Sequence, residues 1–147
     1  MKTFAEIVID ITEQRTNEIA EQWCNAIRQN VRTPSYRSLP KKELVQHARD
    51  FYKGLRRIYY SAKPYTEVRD YFIRYAEDRV REGIPLDEAA YALMMMRRHM
   101  WLYANFEGLF HKDYDPNQAV EAINKTIRIF DHGIHILIKK YEEVRNQ

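Results

Sequence analysis

The sequence predicts an all-α fold, a five-helix bundle closed by a long C-terminal helix. Three observations point there. Apolar residues recur at helical spacing along the whole chain. Only 4 Gly and 5 Pro occur in 147 residues, and the prolines fall near expected helix boundaries. A content of 45% hydrophobic and 31% charged residues is that of a folded soluble domain, and the length suits a single one spanning residues 1–147.

The first helix is expected from about Thr3 to about Val31. Its early apolar face (Phe4, Ile7, Val8, Ile11) and its later face (Ile19, Ala20, Trp23, Ile27) do not coincide at about 100° per residue. Either the helix kinks near Thr12 to Thr16, or its N-terminal half packs on something else, such as a partner subunit. Arg32 to Ser38 reads as a loop, with Ser38 as N-cap and Pro40 in the first turn of the second helix. That helix, about Pro40 to Tyr60, carries Leu44, Ala48, Phe51, Leu55 and Ile58 on one face. The third, about Thr66 to Glu82, buries Val68, Tyr71, Phe72 and Tyr75. Gly83 suits a left-handed cap, Ile84 its apolar contact, and Pro85 prevents continuation.

The fourth helix, about Leu86 to Phe106, has Asp87 and Glu88 at the positive end of its dipole. After a loop from Gly108 to Tyr114, Asp115 and Pro116 start the last helix. Val120, Ile123, Ile127, Phe130, Ile134, Leu137, Tyr141 and Val144 repeat along it at alternating gaps of three and four, a heptad pattern. Ile129, Ile136 and Ile138 widen its apolar surface, so one face can pack on the bundle while another meets a partner helix. A homodimer through the first and last helices is the expectation.

Composition narrows the function. With 24 basic and 21 acidic residues interleaved, the charge is near balance and argues against nucleic acid. Cys24 is alone, which fits a reducing cytoplasm. Glu6 and Asp10 interrupt any N-terminal signal, and the longest apolar run, Ala89 to Met96, is too short to cross a bilayer. The 11 tyrosines suit half-buried surfaces, pockets and interfaces. No nucleophile–base pairing, phosphate-cradling glycine loop or metal signature appears, so no enzyme and no cofactor are expected.

The most informative stretch is Arg79 to Trp101, two helices joined at Gly83-Ile84-Pro85. Arg79 and Arg97 fall where the helical period calls for apolar residues, and Asp131 and His135 lie on the last helix. A guanidinium on a core-facing stripe must be paired or reach water. One reading is a polar pocket of Arg79, Arg97, Asp131 and His135, ringed by tyrosines such as Tyr75, that binds a small anion or carboxylate. The plainer reading is an internal salt bridge, or arginines whose stems pack while their heads reach solvent. Met94, Met95 and Met96 form a soft surface that is more simply core. His132 and His135 stand three apart but lack further ligands for a metal, and His47 lies only at the edge of a stripe where haem would need a central histidine. A helix-turn-helix reading of the corner fails on Asp87 and Glu88, which would repel phosphate.

The stretch from Tyr75 to Trp101 resembles the N-terminal domain of the RsbRD type, found in paralogues of the RsbT co-antagonist RsbR and at the head of some bacterial sensor kinases. The matching features are Ile19 with Trp23, Leu44, Tyr71 with Tyr75, Arg79 with Gly83-Ile84-Pro85-Leu86, and Leu93, Arg97 and Trp101. The resemblance implies a globin-like, non-haem helical sensor working as a dimer and signalling through its last helix to a STAS or kinase domain. It carries over no catalytic residues. With the chain ending at Gln147, the expectation is that the heptad helix ends freely or that its output is a separate partner. A small-ligand, haem or metal-binding helical protein is the alternative.

Overall fold

The computed structural model describes residues 4–106 and 116–147, and the regular elements among them are all helical. They are α1 (Phe4–Gln14), α2 (Thr16–Gln29), a 3-10 turn (Pro34–Ser38), α3 (Lys41–Lys53), α4 (Leu55–Tyr60), α5 (Pro64–Arg81), α6 (Leu86–Phe106) and α7 (Pro116–Arg145). The all-α class holds. The expected count of five helices does not, because the first two expected helices each divide. The expected helix start at Thr3, the loop from Gly108 to Tyr114 and the Asp115 cap lie outside the described residues.

The first division falls at Arg15, with φ −111° and ψ 23°. Two buried threonines flank it. The Thr12 hydroxyl donates to the Val8 carbonyl and the Thr16 hydroxyl to the Thr12 carbonyl, both at 2.7 Å. Hydroxyls bonded back to the preceding turn bend helices. The bend turns both mismatched faces inward, so Phe4, Val8 and Ile9 of α1 are buried along with Ile19, Trp23 and Ile27 of α2. Phe4 stacks on Trp101 with ring centroids 6.2 Å apart and shares a cluster with Ala119 and Ala122 of α7. The split face is thus covered within one chain, and α1 offers no broad apolar face to a partner.

The second division is Gly54, the weakest helix former in its segment, whose amide donates to the Asp50 and Phe51 carbonyls at 3.2 and 3.1 Å. The expected loop before α3 contains the 3-10 turn. Ser38 therefore closes that turn, donating to the Ser35 carbonyl at 3.1 Å, instead of capping α3. Glu88, buried in the first turn of α6, fixes the turn from across the bundle. It accepts hydrogen bonds from the Ser35 amide and hydroxyl at 2.7 and 2.6 Å.

Helices α5 and α7 run parallel, as the ascending contacts Tyr65–His132, Phe72–Gly133 and Glu77–Lys140 show. Their approach is set by Gly133, where an added Cβ would lie 2.4 Å from the Phe72 ring. Helix α6 runs antiparallel to both. Its backbone receives side-chain hydrogen bonds on successive turns: Tyr75 to the Ala89 carbonyl (3.3 Å), Trp23 to Ala92 (2.9 Å) and Tyr52 to Met96 (2.7 Å). The polar tips of the aromatic residues are satisfied in this way while their rings build the core. Met95, Met96 and Met100 are buried, and Met94 is exposed.

Candidate functional site

The corner between α5 and α6 closes as its sequence requires. Gly83 adopts φ 74°, its amide donates to the Val80 carbonyl, and the Ile84 amide donates to the Arg79 carbonyl, both at 3.0 Å. This is the Schellman pattern, completed by the buried Ile84 side chain. Tyr141 of α7 donates to the Ile84 carbonyl at 2.7 Å, tying the last helix to the corner.

Arg79 is 1% exposed. Its guanidinium lies over the rings of Tyr75 and Tyr36, 5.1 and 5.9 Å from their centroids. Glu82, one turn on, meets it with Nε–Oε2 at 2.8 Å and Nη2–Oε1 at 3.1 Å. The Nε contact is an ion pair by distance without hydrogen-bond alignment, and Nη1 has no hydrogen-bond partner. The tyrosine hydroxyls join at 2.9 Å, and Tyr75 also donates to the Ala89 carbonyl. Burial works against the Arg79 charge, but the Tyr75 and Tyr36 phenols and Glu82 outweigh it and hold its pKa above the ordinary value. Burial pushes the Glu82 carboxyl up and Arg79 opposes that rise. The close nitrogen–oxygen approach identifies the two as a charged pair.

Beside this cluster is a cavity of about 100 Å³ that reaches Tyr75 and is lined also by His47, Asp50, Tyr71, Arg74 and Asp78. It has room for ordered water. His47 faces Asp78 at 3.6 Å. Burial and the Arg79 charge lower the His47 pKa, with Asp78 and Asp50 acting the other way.

The residues read as one pocket separate into three places. Arg79 and Tyr75 come together in the core. Arg97 meets Asp131 at 3.6 Å near the surface, with side chains 29% and 64% exposed. His135 is exposed on another side of α7, in the groove facing α5. Two displacements explain the separation. The buried line of α6 runs through Ala89, Ala92, Leu93, Met96 and Met100, which leaves Arg97 at its edge. The buried line of α7 runs through Ala122, Thr126, Ile129, Phe130, Gly133 and Leu137, so Asp131 points outward. Phe130 and Leu137 of the heptad pattern lie on this line, and α5 comes close over Gly133. Sequence reasoning missed Tyr36, Glu82 and Glu88 as polar partners. Glu82 stood at the right spacing, three residues after Arg79, to be found.

Residues 17–147 match the family described as the RsbT co-antagonist protein rsbRD N-terminal domain. The chain belongs to this family. The match begins at the start of α2 and takes in the corner, both arginines and the whole of α7, while α1 precedes it. The family is one of stress-response signalling domains. No curated protein and no solved structure matches the chain. Among the described residues no helix is long and apolar enough to cross a membrane, and no group of three His, Cys, Asp or Glu could hold a metal ion.

Proposed function

We propose that the chain is a non-enzymatic, cytoplasmic sensor domain of bacterial stress-response or two-component signalling. It acts as a homodimer, and ligand or partner binding shifts its helix packing. The family match over residues 17–147 carries this reading. The family description also makes an RsbT-type protein the first partner to test. The shape of α7 supports the dimer. Val120 and Ile138 are exposed and Ile127 and Ile134 half-buried along one flank at helical spacing, beside exposed Met94 of α6. The Arg97–Asp131 pair crosses the middle of that flank and would set the register of a second copy. This reading moves the interface from α1 to the α6–α7 side, since α1 is covered within its own chain. Signal would arise only if the ligand or partner binds one packing arrangement better than another.

Light scattering at micromolar concentration, with native mass spectrometry of the same sample, tests the proposal. A dimer that Ile134→Glu and Ile138→Glu dissociate, and that binds an RsbT-type partner in titration, is the expected result. A monomer for the unaltered chain would overturn the dimer, and a bound haem or metal mass would favour a cofactor-carrying protein instead.

A further inference from the structure

The side of α7 opposite the proposed dimer flank forms a groove with α5, of about 500 Å³. Small-molecule pockets run from roughly 300 to 1,000 Å³. Ile73 and Ile136, both half-buried, form its floor. Its walls carry Arg69 from α5 and Lys139, Lys140 and Glu143 from α7, three cations to one carboxylate. Lys140 is already matched, standing 3.9 Å from Glu77 and 3.8 Å from Glu143. Arg69 and Lys139 make no ion pair among the described residues. Two cations, one on each helix, over an apolar floor and with no ion pair of their own among the described residues, are an arrangement that a ligand can complete. A guanidinium takes a carboxylate or phosphate through parallel hydrogen bonds, and a lysine adds a mobile point charge.

We propose that this groove binds a small amphiphilic organic anion, with its charged head held by Arg69 and Lys139 and its apolar body laid on Ile73 and Ile136. His132 and His135 line the same groove, and the Tyr65 ring packs on His132 at 4.6 Å. The His132 pKa is lowered by burial, by His135 and by Arg69. The groove therefore already resists one more positive charge, and an anion seated beside Arg69 relieves that resistance. A ligand here bridges α5 and α7 at the half of α7 that follows the closest approach at Gly133. The assignment stands independently of the dimer, which uses the other flank.

Octanoate is the probe. It is titrated into the full chain while the imidazole signals of His132 and His135 are followed by NMR. Saturable shifts of both signals and an upward move of the His132 pKa are expected. Arg69→Gln combined with Lys139→Gln should weaken octanoate roughly tenfold or more, the loss expected on removing charge-assisted hydrogen bonds. Both residues are exposed, so the variant keeps its fold. Lys42→Gln on exposed α3 should leave binding unchanged. Octanol and inorganic phosphate, each lacking half the chemistry, should bind roughly tenfold more weakly or less. Octanoate that leaves both histidines unmoved at about 10 mM, or that binds the double variant as well as the unaltered chain, overturns the site. Phosphate or octanol binding as tightly as octanoate overturns the ligand class.

Discussion

Substituting Gly133 by alanine puts the helix-propensity gain directly against the packing of α5 on α7. On propensity alone the change stabilises the middle of α7 by about 1 kcal/mol. The structure sets a larger effect against it. The new Cβ would stand 2.4, 2.5 and 2.6 Å from three atoms of the Phe72 ring, where ordinary carbon contacts begin near about 3.5 Å. Phe72 has little room to give, because its ring lies between Phe51 at 5.7 Å and Phe130 at 6.4 Å. Overpacking of this kind costs about 1–3 kcal/mol, and three simultaneous clashes belong at the upper end. The net expectation is a loss of about 1–2 kcal/mol, a fall in Tm of roughly 3–8 °C for a domain of this size. Urea unfolding and thermal melts measure it. The mechanism also predicts coupling: in a Phe72→Leu background the alanine should cost less by roughly 1 kcal/mol. A Gly133→Ala variant more stable than the parent would refute the close approach of α5 and α7.

Three further outcomes follow from the same geometry. Glu82→Ala, which leaves the Arg79 charge buried and unpaired, should cost about 3 kcal/mol, whereas Arg79→Met should cost under about 1 kcal/mol because an apolar chain fills the site and Glu82 can hydrate; denaturant titration giving the reverse order contradicts the pairing. Arg97→Ala should change stability by less than about 0.5 kcal/mol, since its contact with Asp131 is long and largely exposed, and a larger loss in the same assay shows a buried role. Burial lowers the pKa of His47, His99 and His132 from 6.5, so the unfolded chain binds more protons near that pH and the stabilisation present above about pH 6.5 is lost as pH falls. Melting should occur at lower temperature at about pH 5.5 than at about pH 7.5, and an equal or higher Tm at the lower pH counts against the burial of these rings.

The helical class, the corner and the burial of Val68, Phe72 and Tyr75 were legible in the sequence because each rests on local rules. Gly83 followed by Ile84 and Pro85 admits few conformations, and the structure shows the expected cap. The kink near Thr12 to Thr16 was legible as one of two ways to reconcile mismatched faces, and the threonine back-bonds supply its cause. What escaped was set by tertiary contact. Periodicity weights large apolar residues: Phe130 and Leu137 of its α7 seam are buried, but Ile127 and Ile134 are only half-buried and Asp131 between them points outward. Helix α5 instead approaches over Gly133, which carries little hydrophobic signal. The partnership of Ser35 with Glu88 joins residues 53 apart, beyond any local pattern. A lone glycine inside a long helix was the one available hint of close approach.

The hydrogen bonds that α6 receives at Ala89, Ala92 and Met96 have a mechanical meaning. They come from α5, α2 and α3, so three separate helices grip one rod at successive turns. Sliding α6 by even one residue, about 1.5 Å, would break all three grips together. Helix α7 is held differently, by the buried Ile129, Phe130 and Leu137, by the close approach at Gly133 and by a polar tie to the corner near its far end at Tyr141. The bundle is thus built on a rod gripped by hydrogen bonds, with α7 laid against α5 and α6 chiefly by side-chain packing.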